Sequence, residues 1–168
     1  ANYKVKPGDM IRVVLPYPVR EIELLCEDIP LNIVYEDKYL AVVNKPAGMV
    51  VHPAYGNYTG TLSNAMAGHF YPEFKGQALP KDVFKPGMAH RIDKNTSGLL
   101  VVAKDEDTLN YLALQFYERT INRNYIALAW GDIKQQKGEI EGHVGRNKIN
   151  RKVMDVFPDG SYGKYAKT

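Results

Sequence analysis

Residues 90–104 hold the densest chemistry in the chain. They open with His90-Arg91-Ile92-Asp93-Lys94 and close on the apolar run Leu99-Leu100-Val101-Val102-Ala103. One carboxylate, Asp93, stands between two cations, Arg91 and Lys94. That pattern suits an ionised nucleophile or base working against a polyanion. Asn95, Ser97 and Gly98 between them are turn formers: Asn and Ser bond nearby backbone, and Gly accepts positive φ. The apolar run reads as a buried strand. Asp93 is therefore expected on a loop carried by a rigid core, where functional residues concentrate. Read alone, the same string also describes a turn with solvated charges.

The elements that would carry this loop follow from pattern. Residues 32–35 and 39–43 predict short strands around the turn Glu36-Asp37-Lys38, the second broken by Lys45-Pro46-Ala47-Gly48. Residues 61–70 predict a helix with Leu62, Ala65, Met66 and Phe70 near one face. Residues 71–87 carry Pro72, Gly76, Pro80, Pro86 and Gly87 and predict a long loop. Residues 105–118 predict the clearest helix, capped by Asp105 or Asp107, with Leu109, Leu112, Ala113 and Phe116 as its buried stripe. Strands are expected at 124–130, 138–143 and 152–157. Strands outnumber helices and connections are short, which predicts an α+β domain with a mixed, largely antiparallel sheet and flanking helices.

Two further stretches differ in texture. Residues 1–20 hold a Pro7-Gly8-Asp9 turn and a short strand, too little to fold alone. Residues 21–30, near Pro16, Pro18 and Pro30, read as a linker, and a compact domain is expected over 31–168.

Composition bounds the rest. The 168 residues are 45% hydrophobic and 24% charged, ordinary for a soluble globular domain. The net charge of +3 is weak evidence for nucleic acid. Its distribution says more: from residue 143 onward Arg146, Lys148, Arg151, Lys152, Lys164 and Lys167 face only Asp155 and Asp159. That excess suits phosphate, or a soluble surface tail. The single cysteine, Cys26, excludes an internal disulfide and fits a reducing compartment. His52, His69, His90 and His143 show no metal-ligand spacing, and no Gly-rich phosphate loop precedes a helix. No run is long enough for a membrane-spanning helix.

Four blocks in order resemble the RluA-type RNA pseudouridine synthases, most closely the RluD-like branch. They are Leu31-Asn32-Ile33-Val34-Tyr35-Glu36-Asp37 with Asn44-Lys45-Pro46-Ala47-Gly48-Met49-Val50-Val51-His52-Pro53; Gly60-Thr61-Leu62 with Asn64-Ala65; residues 90–104; and Arg123-Asn124-Tyr125-Ile126-Ala127 ahead of Gly131. The resemblance implies a pseudouridine synthase catalytic domain over 31–168. It makes residues 1–20 the remnant of a small RNA-binding domain. It implies isomerisation of uridine within structured RNA, large-subunit ribosomal RNA first and transfer RNA second. Asp93 becomes the essential residue, Tyr125 the ring that stacks on the target base, and Arg91 the side chain that fills the vacated stack or holds a phosphate. A strand tyrosine packed in the core and a structural ion pair are the plainer readings of Tyr125 and Arg91. His90 is expected to support the loop. Lys45 and His52 either touch RNA backbone or, for Lys45, cap a turn.

No metal or organic cofactor is implied, because bond exchange within one nucleoside imports no group. A cytoplasmic protein without membrane contact, monomeric when intact, is expected. The later Gly-Arg-Thr-His-Gln-Ile-Arg-like string of the family is not present, so a fragment truncated at the C-terminus is expected. An RNA-binding protein without turnover, or a fragment left inactive by the missing segment, is the alternative.

Overall fold

The computed structural model describes residues 6–10, 12 and 23–168. Two compact units divide the chain between Arg123 and Asn124, a division inside the domain expected over 31–168.

The first unit is built on an antiparallel sheet in the order β1-β2-β3, with β1 at Ile33–Glu36, β2 at Leu40–Lys45 and β3 at Gly98–Ala103. Asp37 makes the β1–β2 turn: its Oδ1 accepts the amides of Tyr39 and Leu40, both at 2.8 Å. Those donors hold its carboxyl below the usual range. Alternation in β2 sends Ala41, Val43 and Lys45 inward, opposite Val102, Leu100 and Gly98 of β3. Val51, Leu62, Met66 and Ile92 complete the core.

Helix α1 (Leu62–Phe70) starts at a capping box: the Thr61 side chain accepts the Asn64 amide, and the Asn64 side chain accepts the Thr61 amide. It is buried through residues 62–68, on more than the one face expected. Helix α2 (Glu106–Glu118) is capped by Asp105, which accepts the Thr108 amide at 2.8 Å, and ends at Arg119 in the left-handed region. Of its expected stripe, Leu112 is buried and Leu109 and Phe116 are half-buried; Ala113 is exposed.

Residues 23–30 correct the linker expectation. Leu24 and Cys26 are buried against Ala67 and Leu79. The Cys26 amide donates to Gln77 O (2.9 Å), Gly76 N to Cys26 O (2.8 Å) and Leu79 N to Leu24 O (2.7 Å). A segment paired along its backbone is part of the domain, whatever its proline content. The short strand expected after the Pro7-Gly8-Asp9 turn lies largely outside the described residues. The turn before it is present, with Lys6 N donating to Asp9 Oδ2 at 2.6 Å.

The second unit holds an antiparallel sheet in the order β5-β4-β6, with β4 at Glu141–Arg146, β5 at Met154–Phe157 and β6 at Lys164–Lys167. Every strand pair among the described residues is antiparallel. Residues 124–130 form no strand, contrary to expectation. Alternation marks a strand only when a neighbour takes up its backbone groups, and this stretch has no ladder partner among the described residues.

Candidate active site

The Asp93 loop is braced from the end of β2. Lys45 is wholly buried (0% exposed), and its Nζ donates to the carbonyls of Pro46 (2.8 Å), Met49 (2.8 Å) and Lys94 (3.1 Å). An ammonium has three N–H bonds, so all its donors are used. Burial pushes its pKa down. Gly48 N also donates to Lys94 O at 2.8 Å, and Thr96 N to Asp93 O at 3.1 Å. The peptide groups on the far side of Asp93 are thus tied to the β2–α1 connection. On the near side Ile92 is sunk in the core. Arg91 and Asp93 flank that anchor and are both exposed. The loop backbone is fixed while a carboxylate and a guanidinium face solvent.

His90 braces the start of the loop. Its Nε2 accepts the Val101 amide of β3 at 3.2 Å, and its ring stacks on Phe116 of α2 with centroids 4.4 Å apart. An accepting Nε2 puts the proton on Nδ1, an assignment from the hydrogen-bond network. That Nδ1 is buried and has no hydrogen-bond partner among the described residues. Burial, aided by the Arg123 charge, pushes the His90 pKa down, so the ring is neutral at physiological pH. His90 acts as a strut, in line with the sequence expectation.

Burial first, and the Arg91 charge second, lower the His52 pKa. Its Nδ1 stands 3.1 Å from Ser63 Oγ, which donates to Val51 O at 3.0 Å.

Arg91 and Asp93 are therefore brought together on one loop. Tyr125 belongs to the other unit, exposed and outside any strand, so the core-packed strand tyrosine of the plainer reading is not what is found. Lys45 takes the turn-capping role. Its signal was readable: alternation from Ala41 and Val43 points it inward, and a buried lysine must find acceptors. The His52–Ser63 pair had no comparable signal, since the two lie 11 residues apart, one on a loop and the other on α1. Among the described residues no group of three or more His, Cys, Asp or Glu is placed to hold a metal ion.

A small α+β core thus presents one carboxylate and one guanidinium on a braced loop. The sequence pattern of the RNA pseudouridylate synthases matches residues 39–167, and the chain belongs to that family. It is 46% identical over its whole length to a protein of Chlorobaculum parvum described as an uncharacterized RNA pseudouridine synthase, covering 51% of that protein. It is 46% identical over 99% of its length to ribosomal large subunit pseudouridine synthase D of Zymomonas mobilis, covering 50% of that enzyme. The chain thus spans about half the length of these curated relatives. Among solved structures, human RNA pseudouridylate synthase domain containing 1 is similar with a TM-score of 0.58 and 25% identity, over 83% of this chain and 49% of that one.

Proposed function

We propose that this chain carries the catalytic aspartate of a synthase that converts uridine to pseudouridine in large-subunit ribosomal RNA. The observation that carries the reading is Asp93: an exposed carboxylate on a loop fixed on both sides, beside an exposed arginine. The reaction breaks the C1′–N1 bond, turns the uracil and joins C1′ to C5. Positive charge develops at the sugar as the bond breaks, and a fixed carboxylate stabilises it. The carboxylate then either bonds C1′ or takes a proton from the sugar. In both routes the C5 hydrogen is released and N1 gains a proton. A base must leave the stack for this, and Arg91 is the side chain positioned beside the carboxylate to fill the gap or hold a phosphate. Tyr125 is the proposed stacking partner, an interaction worth roughly 1–3 kcal/mol.

The ribosomal substrate is supported by the relative named as ribosomal large subunit pseudouridine synthase D. Transfer RNA is the second candidate. A monomer in the cytoplasm completes the proposal.

The test is tritium release from RNA labelled at uracil C5, using the full-length protein. Release abolished in Asp93→Asn, with RNA affinity retained, is expected. No release from ribosomal or transfer RNA would leave RNA binding without turnover as the better reading.

A further inference from the structure

The first unit also carries a cleft of about 720 Å³ whose lining does not include Asp93. Phe84, Met88 and Leu109 supply apolar surface; His52, Lys85 and Asn110 supply polar groups. The loop that forms one wall is tied at both ends. Tyr71 Oη donates to Phe84 O at 2.6 Å. Gly87 and Ala103 exchange backbone hydrogen bonds of 3.0 and 2.7 Å, which joins the loop to β3. A Cβ at Gly87 would lie 3.1 Å from both Leu109 and Phe84, so that wall is already tightly packed.

The polar groups point to one ligand chemistry. With Ser63 Oγ donating to Val51 O, the hydrogen-bond network assigns the proton to His52 Nδ1. His52 Nε2 is left with a lone pair, an acceptor for a base N–H. Asn110 offers both a donor and an acceptor from α2. Glu106 also lines the cleft and suits an amino group there. Lys85 is a point charge for a phosphate. An aromatic ring, edge-reading polar groups and a cation are what a splayed RNA base and its phosphate require. The volume falls within the roughly 300–1,000 Å³ usual for small-ligand sites. Met88 of the lining also packs against the core that holds Ile92, and the chain runs from it through His90 into the Asp93 loop.

We infer that the cleft receives an unpaired nucleotide of the substrate RNA that flanks the target uridine, its base against Phe84 and its phosphate at Lys85. This rests on the reading of the substrate as RNA. It adds a second recognition point, so that target choice depends on a neighbouring base as well as on the uridine.

The test measures binding of the full-length protein to a transcript of large-subunit ribosomal RNA across a salt series, with tritium release read separately. Lys85 and Asn110 are both exposed, so Lys85→Ala and Asn110→Ala are expected to fold. Lys85→Ala is expected to reduce the magnitude of the slope of log affinity against log salt by about 0.7. Asn110→Ala is expected to weaken binding roughly 5-fold without changing that slope. A wild-type slope in the first variant or a wild-type Kd in the second overturns the inference. If both effects appear and wild-type protein releases no tritium, the reaction is wrong and the cleft stands. If tritium is released and both variants bind as wild type, the cleft is wrong and the reaction stands.

Discussion

Lys45 shows how one side chain can set the geometry of a site it does not enter. Its three hydrogen bonds join the end of β2, the following turn and the peptide after Asp93. Lys45→Met keeps much of the volume and removes every donor, which costs roughly 1–3 kcal/mol for carbonyls left unpaired. Urea unfolding should show that loss. Turnover should fall further than RNA affinity, because the Asp93 backbone loses its brace; equal losses in both would mean Lys45 only stabilises the fold. His90 gives a pH dependence whose sign is fixed. Its folded pKa is depressed, by burial first and Arg123 second. Below the unfolded value of 6.5 the unfolded chain takes up a proton that the folded one resists. Stability is therefore present above that value and lost as pH falls beneath it. His52 adds a contribution of the same sign. His90→Phe keeps the stack on Phe116 and removes the titration, so its unfolding free energy should change less than wild type between about pH 7.5 and about pH 5.5. An unchanged slope would remove His90 from the account.

At the scale of elements, the sequence was most readable where signals are local. The α1 helix, the cap of α2, the Asp37 turn and the β3 run depend on near neighbours, and each stands where pattern predicts it. Asp105→Ala removes the α2 cap and should cost about 1 kcal/mol in thermal unfolding. What was not readable depends on distant partners. β6 reads Lys164-Tyr165-Ala166-Lys167, without apolar alternation; its ladder with β4 and the Lys167 pairs with Glu139 (2.8 Å) and Glu141 (3.0 Å) hold it. Residues 124–130 have the alternation and lack a ladder partner among the described residues. Residues 24–27 were hidden by nearby prolines, yet their backbone presses on α1 so closely that a Cβ at Gly68 would stand 2.2 Å from Glu27 O. Gly68→Ala, normally a gain inside a helix, should instead cost roughly 1–3 kcal/mol. A stabilised variant would show that residues 24–27 are not packed there.

For the whole molecule the telling feature is residues 121–139, which form no helix or strand. Ile126, Leu128 and Trp130 recur at every second position, and each is fully exposed. Apolar side chains in that register suit one face of a strand, and left uncovered they make a surface prone to association. The core of the first unit differs in kind: Ala41, Val43, Leu100 and Val102 are all 0% exposed. Hydrogen exchange should separate the two, with slow amides in β2 and β3 and fast ones across 124–130. Trp130 is the single tryptophan, so its fluorescence reports this stretch without interference. For the 168-residue chain at low concentration, emission should be that of a solvated indole, readily quenched by acrylamide. A blue-shifted, protected indole at every concentration would mean that 124–130 is covered within the monomer. Protection that grows with concentration and disappears in Ile126→Lys/Leu128→Lys would mean that copies of the chain cover one another along this register.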